Sequence, residues 1–195
     1  MTGLARLPGV RSSLGSLHAG LRAGPVLVSV LVAAALAGAA RPARADVLKV
    51  GDRLAELDVA TDAAGKPVKL KAFKGKWVLV TAGASWCGPC KKELPAWDKA
   101  AGDLKGKVTF VVLTLDNELA DGKKFHKKLK LKNMVITYLP EEKSGVAASY
   151  GAATMPSTFV ADPKGVIRYV HAGFDERDAA SEIKTLEAAL AKLMK

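Results

Sequence analysis

Two predominantly apolar runs restrict the fold of this chain more than any other feature of its sequence. The first extends from Trp77 to Thr81 and the second from Val108 to Leu115. Runs of this kind are typical of strands that a sheet buries on both faces. The segment between them predicts a helix that begins near Pro89 and continues toward Leu104. A buried strand, a helix and a second buried strand predict a largely parallel sheet covered by helices.

Further elements continue this pattern on both sides of the central unit. Alternating residues from Leu54 to Ala60, a turn at 62–66 and a return from Pro67 to Leu70 predict an N-terminal β-hairpin. After the second buried run, the sequence predicts an amphipathic helix from Asn117 to Leu131 and a strand from Met134 to Tyr138.

The C-terminal part predicts a short helix, a hairpin and a last helix. The short helix extends from Lys143 to Tyr150, and the turn at 162–165 joins strands from Thr158 to Ala161 and from Val166 to Val170. The last helix carries one apolar stripe, formed by Ile183, Leu186, Leu190 and Leu193. The terminal hairpin makes the sheet mixed. The expected fold class is therefore α/β, with a central mixed β-sheet flanked by helices.

The first 45 residues have the three parts of a secretory signal. A basic stretch without acidic residues precedes an apolar run at 25–40, and Ala43-Arg44-Ala45 matches the small-x-small pattern of a cleavage site. The apolar run is slightly shorter than the roughly 20 residues of a spanning helix, which favours a cleaved signal over an uncleaved anchor. No twin-arginine pair is present, so general export is expected. The sequence thus predicts a signal at 1–45 and an exported, periplasmic domain at 46–195.

Composition excludes several classes of protein. Apolar residues make up 49% of the 195, enough for a core of ordinary size, and the only two cysteines lie too close in sequence to join distant segments. The formal charge of +11 includes five arginines in the first 45 residues, so the remainder is only mildly basic. No basic strip interleaved with aromatic residues is present, and nucleic acid is therefore not an expected partner.

The two cysteines have the spacing of a reactive pair. Cys87 and Cys90 follow the first buried strand at the predicted start of a helix, where residues three apart share a face. The free N–H groups and the dipole of a helix N-terminus favour an anion, which lowers the pKa of the first cysteine. A Cys87 thiolate could then attack a disulfide, and Cys90 could resolve the mixed disulfide. The same steps run backwards would oxidise a dithiol.

The segment around these cysteines resembles a known active site. Trp86-Cys87-Gly88-Pro89-Cys90-Lys91-Lys92 is similar to that of thioredoxins, and Pro95 lies where thioredoxins kink this helix. The export signal, the N-terminal hairpin, the run Lys91 to Pro95 and an extra helix and strand after Val108 resemble the TlpA-like, or ResA-like, exported thioredoxins. The resemblance covers about Val47 to Lys195 and implies a thioredoxin fold, a thiol–disulfide oxidoreductase activity and no cofactor.

The resemblance also implies a substrate surface. Met155-Pro156-Ser157-Thr158-Phe159 is similar to the family segment that carries the cis-proline loop. In that family the loop faces the cysteines, so Pro156 would cover the sulfurs and the Met155 backbone would pair with substrate backbone. Trp86 would shape the surface beside the nucleophile. The alternative for Pro156 is an ordinary turn proline that opens a strand.

One position departs from the thioredoxin pattern. Thioredoxins usually carry a buried aspartate six residues before the first cysteine, where this chain has Thr81. Glu93, three residues after Cys90, corresponds to a glutamate that TlpA-like proteins carry and that is thought to tune the two thiols. Burial could raise its pKa into the range needed for proton transfer. Alternatively, Glu93 is a first-turn residue that only complements the helix dipole.

Other polar and aromatic residues favour simpler interpretations. We define the basic cluster as Lys123, Lys124, Lys127, Lys128, Lys130 and Lys132 with His126. It could dock an acidic partner or an anionic membrane, but a solvated helix face is the simpler expectation. His126 and His171 are expected at the surface, and Trp77, Trp97 and Tyr150 are expected to pack inside.

Two functional hypotheses remain open at this stage. The first is a disulfide reductase outside the cytoplasm, with protein disulfides or dithiols as substrates. The family often acts in cytochrome c maturation, which would make an apocytochrome c thiol pair the substrate and a membrane-bound thiol protein the electron donor. An oxidase or isomerase is a variant of this hypothesis. The second is a module that holds Cu(I) between Cys87 and Cys90, although the family position of Pro156 would occupy the space of a third ligand. A monomer is the default expectation.

Overall fold

A computed structural model describes residues 47–54, 60–139, 146–151 and 155–195 of the chain. Its strands are β1 (Trp77–Gly83), β2 (Val108–Thr114), β3 (Val135–Tyr138), β4 (Ser157–Ala161) and β5 (Ile167–Ala172). Its α-helices are α1 (Cys90–Asp103), α2 (Leu119–Leu129), α3 (Val146–Ser149) and α4 (Ala179–Leu193), and a 3-10 helix spans Leu70–Phe73.

The five strands form one mixed sheet in the order β3-β2-β1-β4-β5. β1 pairs with β2 in parallel, β2 pairs with β3 in parallel, and β4 pairs antiparallel with both β1 and β5. This arrangement confirms the predicted fold class. The helix α2 and strand β3 are the extra pair expected after the second buried run, and they extend the sheet at its β2 edge.

Side chains of the central strands alternate between two hydrophobic clusters, one on each face of the sheet. In β1, Leu79 belongs to one cluster, whereas Val78 and Val80 belong to the other. This alternation follows from the period of two along a strand, and it explains why β1 is predominantly apolar. The first cluster includes Leu94 and Trp97 of α1 together with Leu186 and Leu190 of α4. The second includes Tyr150, Phe159 and Ile167.

The N-terminal hairpin is only partly confirmed. Thr61 and Pro67 form one antiparallel bridge around the predicted turn, but residues 55–59 lie outside the described residues. Beyond this bridge, the predicted strand from Pro67 to Leu70 is wrong, because a 3-10 helix begins at Leu70. Thr61 also exchanges two backbone hydrogen bonds with Tyr138, with N···O distances of 2.9 and 2.8 Å.

The expectation that His126 lies at the surface is also wrong. His126 is only 4% exposed, and its Nε2 lies 2.7 Å from Thr114 Oγ1. The α2 helix approaches the sheet closely at Gly122, where an added Cβ would lie 2.9 Å from Thr114 Cγ2 and 3.1 Å from Tyr138 Cδ1. This close approach buries the next turn of α2. Burial lowers the pKa of His126 to about 4, partly opposed by the charge of Asp116.

The lysines of the basic cluster are all exposed, as expected for a solvated face of α2 and the loop after it. Tyr150 and Trp97 are completely buried, which confirms their predicted packing role. The predicted signal at 1–45 and the first part of the predicted helix at 143–150 lie outside the described residues. None of the helices in the described part of the chain combines the length and the apolarity that crossing a bilayer requires.

Candidate active site

Cys87 and Cys90 form a disulfide at the start of α1, just beyond the C-terminal end of β1. Cys87 keeps an exposed fraction of 5%, whereas Cys90 has none. The backbone N–H of Cys90, the first residue of α1, donates to Cys87 Sγ over 3.2 Å. A negative charge on Cys87 would therefore face a hydrogen-bond donor and the positive end of the helix dipole, and both would lower the pKa of its thiol.

The turn that carries the cysteines is tied to the neighbouring strand by Asp116. This carboxylate accepts from the Ser85 N–H at 3.0 Å and from the Ser85 hydroxyl. Asp116 follows the end of β2, and parallel pairing brings the C-terminal ends of β1 and β2 to the same edge. Because both partners sit at that edge, the Asp116 contact holds the turn before Trp86 in place. Sequence reasoning missed this contact.

The three residues assigned to a substrate surface occupy different environments. Trp86 is 62% exposed beside Cys87, an unusual position for so large an apolar side chain. Met155 is partly buried and packs against the hydrophobic cluster that contains both cysteines. The Met155–Pro156 peptide bond is cis, as the resemblance implies. The pairing of Ser157 with Ala82 places buried Pro156 next to the C-terminal end of β1, the edge that carries the cysteines.

Glu93 is completely buried on the inner face of α1, one turn after Cys90. Thr81 Oγ1 of β1 donates to Glu93 Oε2, and Thr158 Oγ1 of β4 donates to Glu93 Oε1, both over 3.1 Å. The two hydroxyl oxygens lie 2.9 Å apart, and the indole N–H of Trp97 donates to Thr158 Oγ1 over 3.2 Å. A glutamate that only complemented a helix dipole would face solvent, so this interpretation does not fit the observed position.

Burial controls the ionisation of Glu93. Loss of solvation raises the pKa of its carboxyl from 4.5 to about 8, although hydrogen bonds from Thr158 and Thr81, together with the nearby Trp97 N–H, favour the charged form and act in the opposite direction. The carboxylate of Glu182 on α4 raises the pKa slightly further through charge repulsion. Both protonation states of Glu93 are therefore populated near neutral pH.

Sequence reasoning found Glu93 and Thr81 but missed their partners. Thr158 appeared only as part of a predicted strand, and Trp97 only as a core residue. The available signal was the hydroxyl residue Thr158 beside the apolar residues of β4, a strand whose residues are all buried. Such a hydroxyl needs a hydrogen-bond partner in the interior, although the sequence does not identify that partner.

His171 lies next to this cluster rather than at the open surface. Its ring contacts Trp97 edge-on, with centroids 6.2 Å apart, and Nε2 lies 3.0 Å from Glu182 Oε2. Both side chains of this pair retain an exposed fraction of 19%, so the expectation of a surface histidine is only half correct. Within the described ranges, no group of three histidine, cysteine or acidic side chains is arranged to hold a metal ion.

A family model for the AhpC/TSA family matches residues 50–170, which include the cysteine pair, Glu93 and Pro156. The chain belongs to the AhpC/TSA family. The match covers four of the five strands completely and most of the fifth. It therefore includes nearly the whole sheet as well as the candidate site.

Among proteins of known name, the chain is similar to ResA, CycY and DsbE proteins. It is 34% identical over 111 residues to the thiol-disulfide oxidoreductase ResA of Bacillus thuringiensis subsp. konkukian, a match that covers 56% of this chain and 62% of ResA. It is 28% identical over 150 residues to the thiol:disulfide interchange protein CycY of Rhizobium leguminosarum bv. viciae, with 76% and 74% of the two chains covered. The chain thus matches less than two thirds of the length of ResA.

A solved structure shows the same likeness. A candidate thiol:disulfide interchange protein DsbE from Chlorobium tepidum superposes with a TM-score of 0.63 at 27% identity, covering 73% of this chain and 99% of the other. Together with the family match, these similarities confirm the resemblance to the TlpA-like and ResA-like thioredoxins and the thioredoxin fold.

Proposed function

We propose that this protein is a thiol–disulfide oxidoreductase that reduces protein disulfides outside the cytoplasm through Cys87 and Cys90. The observation that carries the proposal is the disulfide at the start of α1, whose first cysteine keeps some exposure and whose second has none. This asymmetry suits a pair in which Cys87 meets the substrate and Cys90 resolves the intermediate. The similarity to ResA, a thiol-disulfide oxidoreductase, and to CycY, a thiol:disulfide interchange protein, supports thiol–disulfide exchange.

In the first step, the Cys87 thiolate of the reduced protein attacks one sulfur of a substrate disulfide. A bond forms between Cys87 Sγ and that sulfur, the substrate S–S bond breaks, and the second substrate sulfur leaves as a thiolate. The Cys90 N–H, which donates to Cys87 Sγ, stabilises the attacking charge. The exposed Trp86 indole and the Met155 backbone provide the surface on which the substrate segment rests.

In the second step, Cys90 attacks Cys87 Sγ and the bond between Cys87 and the substrate breaks. The substrate leaves with both sulfurs reduced, and the two electrons have come from the cysteine pair. Cys90 must lose a proton before it attacks, and it is buried away from solvent. Glu93 is the proton acceptor in this account, because it is buried on the same helix face and its pKa of about 8 lies close to that of a thiol.

The compartment and the partners complete the proposal. The signal at 1–45 exports the domain to the periplasm, either as a cleaved soluble protein or on an uncleaved anchor. A membrane-bound thiol protein returns electrons to the oxidised pair, because the compartment itself is oxidising. An apocytochrome c with a Cys-x-x-Cys-His disulfide is the substrate that the family resemblance favours. The Gly88-Pro89 dipeptide, which thioredoxins share, supports reduction over oxidation.

Trapping of the mixed disulfide tests these roles. In the Cys90→Ala variant, Cys87 can attack but nothing resolves the product, so a disulfide-containing peptide should remain attached to the protein. In the matched Cys87→Ala variant, the remaining sulfur is fully buried and little adduct should form. Mass spectrometry of the non-reduced proteins measures both. Equal adduct formation in the two variants, or none in either, would contradict the assignment.

A further inference from the structure

Three polar side chains from three different elements meet in the interior next to the cysteine pair. Thr81 comes from β1, Glu93 from α1 and Thr158 from β4, and each is completely buried. Their oxygens form a closed triangle with edges of 3.1 Å from Thr81 to Glu93, 3.1 Å from Thr158 to Glu93 and 2.9 Å between the two threonines. The edge between the threonines is the unusual one, since each hydroxyl has only one proton to donate.

A count of donors and acceptors explains why all three edges are short. When Glu93 is ionised, both threonine hydroxyls can donate to its carboxylate, and the Trp97 N–H satisfies Thr158 Oγ1. No proton then remains for the edge between the threonines. When Glu93 is protonated, its own O–H must find an acceptor, since an unsatisfied buried polar group is costly.

The triangle provides that acceptor. A proton on Glu93 Oε1 can be donated to Thr158 Oγ1, while the Thr158 hydroxyl donates to Thr81 and the Thr81 hydroxyl donates to Glu93 Oε2. Thr158 Oγ1 then accepts from both Glu93 and Trp97, which fills its two lone pairs. Every polar atom of the triangle is satisfied in both states, and only the Thr158 hydroxyl changes its direction.

We propose that Thr81 and Thr158 are positioning residues that form a hydrogen-bonded ring with Glu93 and hold its carboxyl group in both protonation states, with the Thr158 hydroxyl turning as the proton arrives or leaves. Thr81 thus has a specific role at the position where thioredoxins carry an acid. The inference rests on the proposed function only in that Glu93 serves there as the proton acceptor for Cys90.

Few charged groups of the described residues face this ring. Among them, the Glu182 carboxylate on α4 is the one acid whose charge acts on Glu93, and His171 of β5 lies between Glu182 and Trp97. Cys90, one turn earlier on α1, is held in the disulfide and does not titrate in the oxidised protein. A titration of the oxidised protein therefore reports Glu93 without interference from a thiol.

The test follows the Glu93 carboxyl carbon by NMR in oxidised protein labelled with ¹³C-glutamate, from pH 5 to pH 10. The Glu93→Gln variant identifies the resonance. The wild-type midpoint should lie near pH 8. In Thr158→Val the midpoint should rise by about one pH unit, because the charge-assisted hydrogen bond that the ionised form loses is stronger than the neutral hydrogen bond that the protonated form loses, and in Thr81→Val it should rise by less. Thr158→Ser and Thr81→Ser keep a hydroxyl and should stay close to wild type. An unchanged or lower midpoint in Thr158→Val would overturn the ring.

A second measurement on the wild-type protein covers the case in which a valine variant does not fold. When the Thr158 hydroxyl turns, the environment of the Trp97 indole N–H changes. Its proton resonance should therefore move with the same midpoint as Glu93, whereas the indole resonances of Trp77 and Trp86 should not. A Trp97 resonance that stays constant through the Glu93 midpoint would exclude the turning hydroxyl. Neither measurement involves a substrate, so failure of disulfide exchange would contradict the proposed function and leave the ring intact.

Discussion

Replacement of Glu93 by glutamine should change how the stability of the oxidised protein depends on pH. In the folded protein Glu93 has a pKa of about 8, and in the unfolded chain its pKa returns to 4.5. Between these values the folded state holds a proton that the unfolded state has released. The free energy of unfolding of the wild type therefore falls as pH rises through this window. Glutamine does not titrate, so Glu93→Gln lacks this contribution.

The size of the effect follows from the two pKa values. Linkage between protonation and folding predicts that, between pH 5 and pH 9, the free energy of unfolding of the wild type falls by about 4 kcal/mol more than that of Glu93→Gln. Denaturation by urea under non-reducing conditions, repeated at each pH unit, measures this difference. Glu118→Gln, which changes an exposed glutamate, is the matched control and should differ from the wild type equally at every pH. A difference between wild type and Glu93→Gln that is flat across this range would refute the raised pKa.

Three further predictions concern the surface, the packing and the metal hypothesis. Trp86→Ala should leave the free energy of unfolding within about 0.5 kcal/mol of wild type because the side chain is exposed. The same variant should raise KM for a protein disulfide without affecting the reduction of a small-molecule disulfide. An equal loss of activity with both substrates would argue against a substrate surface at Trp86. Gly122→Ala should destabilise the protein by about 1–3 kcal/mol, measured by thermal or urea unfolding, because its Cβ would lie 3.1 Å from the Tyr138 ring; wild-type stability would show that α2 can move away. Titration of the reduced protein with Cu(I) in the presence of a competing chelator should show no tight one-to-one complex, whereas one that blocks disulfide exchange would favour the metal-binding hypothesis.

The sheet was largely predictable because its signal is local. The strands β1 and β2 are buried on both faces, so each appears in the sequence as a predominantly apolar run. The N-terminal hairpin was less predictable, since the pairing of Thr61 with Tyr138 joins residues far apart in sequence. Alternation of polar and apolar residues does not identify the partner of a strand.

In the candidate site, too, the features with a local signal were predictable and those that depend on distant contacts were not. Cys87 and Cys90 have a distinctive spacing and could be found from a few residues, whereas the environment of Glu93 depends on Thr158, which is 65 residues away. The prediction that His126 lies at the surface was wrong for a related reason. Its lysine neighbours indicate a solvated face, and only the close approach of α2 at Gly122 turns this histidine inward. Burial that depends on contacts between elements is not encoded in a local pattern.

The redox potential of the Cys87–Cys90 pair tests the central proposal most directly. The protein would be equilibrated with dithiothreitol or glutathione buffers of known potential, and the fraction of disulfide measured by alkylation and mass spectrometry. We expect full equilibration and a potential below about −220 mV, close to that of thioredoxin and suited to a reductase with a dedicated electron supply. A potential near about −120 mV would make the protein an oxidant and contradict the proposed direction of electron flow. A pair that does not equilibrate with either buffer would contradict the disulfide exchange itself.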